Sequence, residues 1–182
     1  MKESELRTRV KAFALHIIAI CDEIDTRKGR SVLVNQVIRS ATSIGANIHE
    51  ANYASSKADF VNKFHIALKE CAETEYWVEM MVGCNAITDE SAQALLQECG
   101  IIRSATSIGA NIHEANYASS KADFINKFHI ALKECAETEY WIEMLMGCNA
   151  ITDEVAHALL QECGIVRRML AKSITTVKAN KE

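Results

Sequence analysis

Seven cysteines and six histidines are the residues of this chain with the most chemistry to offer. The cysteines are Cys21, Cys71, Cys84, Cys99, Cys135, Cys148 and Cys163, an odd number with no CxxC pair. Disulfide frameworks belong to short secreted chains, so free thiols are expected. Cys71 falls on an apolar helical stripe and is expected to pack as a small hydrophobe. Neither cysteines nor histidines show zinc-ligand spacing, so no metal site is expected. His49-Glu50 and His113-Glu114 are the notable histidine–acid neighbours. Adjacent residues on a helix do not face each other, so neither pair makes an acid–base dyad by itself. No HExxH, nucleophile elbow or phosphate loop is present. The expectation is a protein that is not an enzyme and has no cofactor.

The remaining candidates are basic and small side chains. Residues 165–182 carry a net charge of +4, and each stretch 37–100 and 101–164 carries −5. Arg167, Arg168, Lys172, Lys178 and Lys181 are therefore the candidate nucleic-acid contacts. Two acidic middles and a basic tail do not make the concentrated basic face of a nucleic-acid binder. Complementing a helix dipole is the simpler role for the tail. Ala41 and Gly45, with Ala105 and Gly109, lie in runs of small residues where a second helix could approach closely. A backbone approach to a ligand is the alternative, but the runs lack any phosphate-loop pattern. Tyr76 and Trp77 stand among acids, either as interface aromatics or as half-buried packing.

What positions these residues is a duplication. Residues 37–100 recur as 101–164 with 57 of 64 positions identical and no linker between them. The differences are Val37/Ile101, Val61/Ile125, Val78/Ile142, Met81/Leu145, Val82/Met146, Ser91/Val155 and Gln93/His157. Five exchange one apolar residue for another, while every charged residue is retained. Neutral drift usually changes surfaces first, because core changes are felt. The pattern is that of a recent or engineered duplication whose apolar positions were repacked.

Composition favours helices. Hydrophobic residues make up 49% and there is no proline in 182 residues, where average usage gives roughly nine. Without proline, nothing interrupts backbone donation. Apolar steps of three and four predict helices over about 3–24, 31–53, 57–84, 89–117, 121–148 and 153–177. Leu95, Cys99, Ile102, Ala105, Ile108 and Ile112 keep that stepping across the repeat junction. The first half of one helix is thus spliced in phase to the second half of another. The fold expected is all-α: a six-helix up-and-down bundle, derived from four helices, with a long hybrid helix near 89–117. One extended bundle is expected over 1–182: unique residues 1–36, the copies 37–100 and 101–164, and the final helix end 165–182. The second copy has no helix 1 of its own, so its apolar face needs another cover.

Without residues 37–100, the remaining 118 residues read as one four-helix protein. The strings IRSATSIGANIHEA (102–115), SKADFINKF (120–128), ALKE (131–134) and ETEYW (137–141) resemble the 23S rRNA intervening-sequence protein family. They recur at 38–51, 56–64, 67–70 and 73–77, with Val61 for Ile125. The resemblance implies an up-down four-helix protomer, commonly assembled into a ring-like homo-oligomer, with a poorly defined role. A further resemblance is to the basic accessory protein of diversity-generating retroelements, which binds nucleic acid; this chain differs from it in its net charge of −4. The expected function is a non-catalytic scaffold that self-associates, with an RNA-associated accessory protein as the alternative. No apolar run approaches the ~18–20 residues of a membrane span. The N-terminus has no signal-peptide pattern, so a cytoplasmic location is expected.

Overall fold

The computed structural model describes residues 5–27 and 29–179. It contains six helices: α1 (Glu5–Asp22), α2 (Arg30–Ala51), α3 (Lys57–Gly83), α4 (Asp89–Ala115), α5 (Lys121–Gly147) and α6 (Asp153–Ala179). Among the described residues there is no strand. The architecture is the all-α, up-and-down bundle that the apolar periodicity predicts, with described ends displaced by up to two residues; the expected first-helix start at residue 3 lies outside the described residues. At α2 the displacement has a local cause. Asn52 and Tyr53 donate to the carbonyls of His49 and Glu50, closing three-residue turns in place of the helical step.

Side chains set the starts of α3 and α5. Ser56 is the N-cap of α3 and accepts from the Asp59 amide at 3.1 Å. The Asp59 carboxylate reaches back to the Ser55 amide at 2.9 Å. Ser120 and Asp123 repeat the arrangement at α5. Each cap satisfies donors that the first helical turn leaves unpaired. The far end of α3 closes on Asn85, whose φ is 53°. Asn85 donates to Val82 O and Ala86 to Met81 O, the paired bonds of a Schellman ending. Asn149 does the same after α5. The left-handed residue at each turn is therefore the asparagine, while the neighbouring Gly83 ends α3 in helical geometry.

The described chain divides into two compact units, Met1–Arg103 and Ser104–Glu182. In unit 1, α1, α2, α3 and the first half of α4 enclose one core of Val10, Phe13, Ile17, Ile44, Val78, Leu95 and Ile102, among others. In unit 2, the second half of α4 packs with α5 and α6 around Phe128, Ala131, Cys135, Leu170 and Ile174. The unit boundary falls inside α4, which runs unbroken for 27 residues, or about 40 Å. Gly100 is buried inside that helix and does not end it.

The small residues of α2 divide by environment. Ala41 is fully buried in the unit 1 core. Gly45 faces Val10 of α1, where an added Cβ would sit 3.5 Å from Cγ2. That is ordinary van der Waals contact, so helix propensity decides the outcome. Gly45→Ala raises the unfolding free energy by up to about 1 kcal/mol, read as a higher urea midpoint. A lower midpoint would show that α1 and α2 cannot admit the methyl. In unit 2, Ala105 and Gly109 are half-buried within α4.

Candidate functional surface

The thiols are placed by the core. Cys21, Cys71, Cys99, Cys135 and Cys163 are buried, Cys84 is partly exposed and Cys148 is exposed. Cys99 Sγ donates to the Cys71 carbonyl at 3.5 Å, and Cys163 Sγ to the Cys135 carbonyl at 3.8 Å. Burial, with the Asp22 charge beside it, pushes the Cys21 thiol up to about 11. Hydrogen bonding to Cys71 and then burial push Cys99 well up. Such thiols stay protonated and inert. In native buffer an aromatic disulfide reagent therefore titrates Cys148 first and Cys84 next. The other five are shielded by burial and react only with denaturant. Rapid native reaction of a third thiol would contradict this packing.

The histidine–acid neighbours stay apart, as helical geometry requires. His49 is exposed and hydrogen-bonds Arg7 of α1, while Glu50 pairs with Lys63 of α3 at 2.6 Å. In the second copy Glu114 pairs with Lys127. Above Arg7, Lys11 and His49, the α1–α2 groove encloses about 340 Å³, floored by Val10, Ala14 and Gly45. Arg39 lies against both Glu70 and Glu73. That guanidinium, and then the Trp77 indole, holds the Glu73 carboxyl below the usual range. Trp77 Nε1 donates to Glu73 at 3.0 Å, so the indole is tied to its own helix while Tyr76 is exposed. Among the described residues no three metal-ligating side chains cluster.

The basic residues of α6 do not form one face. Arg167 pairs with Glu139 of α5 at 3.5 Å, repeating the Arg103–Glu75 pair of unit 1. At about 100° per residue, Arg167 and Lys178 share one side of the helix. Arg168 and Lys172 share another. All four are exposed. Lys181 lies outside the described residues.

Several polar contacts recur in both copies, and one that differs is instructive. Thr74 Oγ1 donates to Ser40 Oγ at 2.9 Å, linking α3 to α2 inside the core. In unit 2, Thr138 donates to Glu134 O, and the buried Ser104 hydroxyl has no hydrogen-bond partner among the described residues. Ser40→Ala therefore lowers stability by about 1 kcal/mol, whereas Ser104→Ala leaves it unchanged or slightly raised. Equal losses in urea melts of the two variants would contradict the difference.

A larger contrast lies along α6. In unit 1 the side of α4 carrying Leu95, Glu98 and Ile102 is turned to α1, where Glu98 meets His16 at 3.4 Å. Leu95 is 2% exposed and Ile102 fully buried. The equivalent positions on α6 are Leu159 and Glu162, the repeat mates of Leu95 and Glu98, and Val166, which follows the second copy. Leu159 and Val166 are partly exposed and Glu162 is exposed. Val155, one step earlier on that stripe, is 47% exposed, and Met169, one step later, is 64% exposed. Ile165 beside it is 48% exposed, against 4% for Ile101 at the equivalent position of α4. The sequence shows that the second copy lacks a helix 1, but it did not single out these residues. The Ser91/Val155 exchange, polar to apolar at the start of the stripe, is the signal that marks them.

Fold and surface together define a class: an all-helical bundle whose most distinctive surface is an uncovered apolar stripe. The sequence profile of the 23S rRNA-intervening sequence protein family matches residues 2–102 and again 99–172. The chain belongs to that family. The two matches overlap across the splice in α4, as an internal duplication requires. Among solved structures, the chain is similar to a protein of unknown function from the S23 ribosomal protein family of Bacteroides thetaiotaomicron. The two are 38% identical over 56% of this chain and 94% of that one, with a TM-score of 0.52. No curated protein matches. Among the described residues no helix is long and apolar enough to cross a membrane.

Proposed function

We propose that this protein is a non-catalytic, cytoplasmic helical scaffold whose work is to pack and self-associate. The observation that carries the reading is the exposed apolar stripe of α6, where Leu159 is partly exposed although its repeat mate Leu95 is buried in unit 1. Contiguous apolar surface of this kind marks sites of association. The polar residues retained in both copies serve as caps, ion pairs and interhelical bonds. Light scattering on the purified chain yields one discrete species at a whole multiple of 20.2 kDa. A monomer at every concentration, or a polydisperse mixture, would overturn the reading.

The same proposal covers the origin of the chain. All five apolar exchanges between the copies fall at buried or partly buried positions. Five of seven exchanges in the core, with every Lys, Arg, Asp and Glu retained, fit an engineered duplication that was repacked. The alternative function, an RNA-associated accessory protein, draws on the family's name and on exposed Arg168, Lys172 and Lys178. It requires RNA affinity that falls steeply with salt. Absence of binding at low salt removes it.

A further inference from the structure

The geometry points to a ligand site in the α1–α2 groove of unit 1. Its occupant is a free, single-chain carboxylate. The head group lies against Arg7, Lys11 and His49, and the unbranched apolar chain runs along α1 over Ala14, Leu15 and Ile18. The inference is separate from self-association and uses different helices.

The groove is polar at one end only. On α1, Arg7 and Lys11 are followed by Ala14, Leu15 and Ile18, at steps that keep one side of the helix. The rise to Ile18 is about 10 Å from Lys11 and about 16 Å from Arg7. On α2 the facing residues Thr42, Gly45 and Ala46 are small, and His49 closes the charged end. Gly45 stands against Val10, so the two helices come close and the groove has a closed floor. Leu15, at the open rim, is 56% exposed. The enclosed volume of about 340 Å³ suits a small ligand.

The charge at the polar end is unanswered. Arg39, Lys63, Arg103, Lys127 and Arg167 each meet a carboxylate of a neighbouring helix. Arg7 and Lys11 meet none among the described residues, and none of the described side chains lining the groove is acidic. Arg7 donates to His49 Nδ1. A guanidinium cannot accept, so the ring proton sits on Nε2 and adds a third donor at the same end. A carboxylate is the planar anion that a guanidinium holds best. A small inorganic anion would leave the apolar half unused, and a neutral chain would leave both cations unmatched.

The groove exists once per chain. Thr42 and Ala46 are exposed, whereas their repeat mates Thr106 and Ala110 are buried. The α1 residues have no counterpart in the second copy.

Isothermal titration calorimetry of the full chain with decanoate, below its micelle-forming concentration, tests the site. Decanoate is expected to saturate at one equivalent per chain. 1-Decanol binds at least about tenfold more weakly, because it lacks the charge that Arg7 and Lys11 answer. Acetate gives no measurable binding. Lys11→Glu weakens decanoate binding by about tenfold or more. Ala46→Phe fills the groove without removing a charge and abolishes binding. Both positions are exposed, so circular dichroism of each variant stays helical, and either variant suffices if the other fails to fold. No binding of decanoate, equal affinity for decanol, uptake beyond one equivalent, or unchanged affinity in either folded variant would overturn the site.

Discussion

Ile44→Ala lowers the unfolding free energy of the protein by about 2–5 kcal/mol, and the same change at Ile108 lowers it by clearly less. The two isoleucines stand in identical sequence, SATSIGANIHEA, so local propensity is the same at both. Their surroundings differ. Ile44 is fully buried in the unit 1 core with Val10, Phe13 and Ile17 of α1. Ile108 packs at the edge of the unit 2 core and is only partly buried. Removing three methyl-sized groups from an enclosed site forfeits transfer energy and leaves a cavity. Where the site opens toward solvent, water fills part of the space and the second contribution shrinks. Urea denaturation followed by circular dichroism gives both values. Equal losses would mean that the copies are equally enclosed and that the missing helix has been replaced.

Gly100→Pro is the second large effect, with a loss of about 3 kcal/mol or more. Gly100 lies in the middle of α4, where proline removes a helical donor and its ring strikes the carbonyl one turn back. The substitution strikes both units, because α4 supplies Ala92, Leu95, Cys99 and Ile102 to one core and Ala115 to the other. Were the chain to turn at Gly100, proline there would be tolerated within about 1 kcal/mol, as at other turn positions. The thermal midpoint of the variant separates the two cases.

The helices themselves were legible from the order of residues. Steps of three and four from Leu95 to Ile112 already predicted that the splice keeps helical phase, and α4 spans it without a break. Ser56 and Asp59 announced the start of α3, although the carboxylate reaches Ser55 rather than the capping serine. What identical sequence could not reveal is unequal environment. Leu95 and Leu159 are the same residue in nearly the same local context. Only the neighbouring helix decides which is covered. The Ser40–Thr74 bond was equally hidden, since it joins residues 34 apart through the packing of α2 on α3. Periodicity states which face of a helix is apolar, and tertiary contact alone states whether that face is met.

One continuous helix, α4, carries the chain across the repeat junction. Backbone carbon chemical shifts over Glu98–Ser107 test it most directly. Unbroken helical shifts are expected through Gly100, Ile101 and Ile102, with slow amide exchange along the stretch. Coil-like shifts and rapid exchange centred on Gly100 would contradict it, and would leave two tandem bundles hinged at the repeat junction.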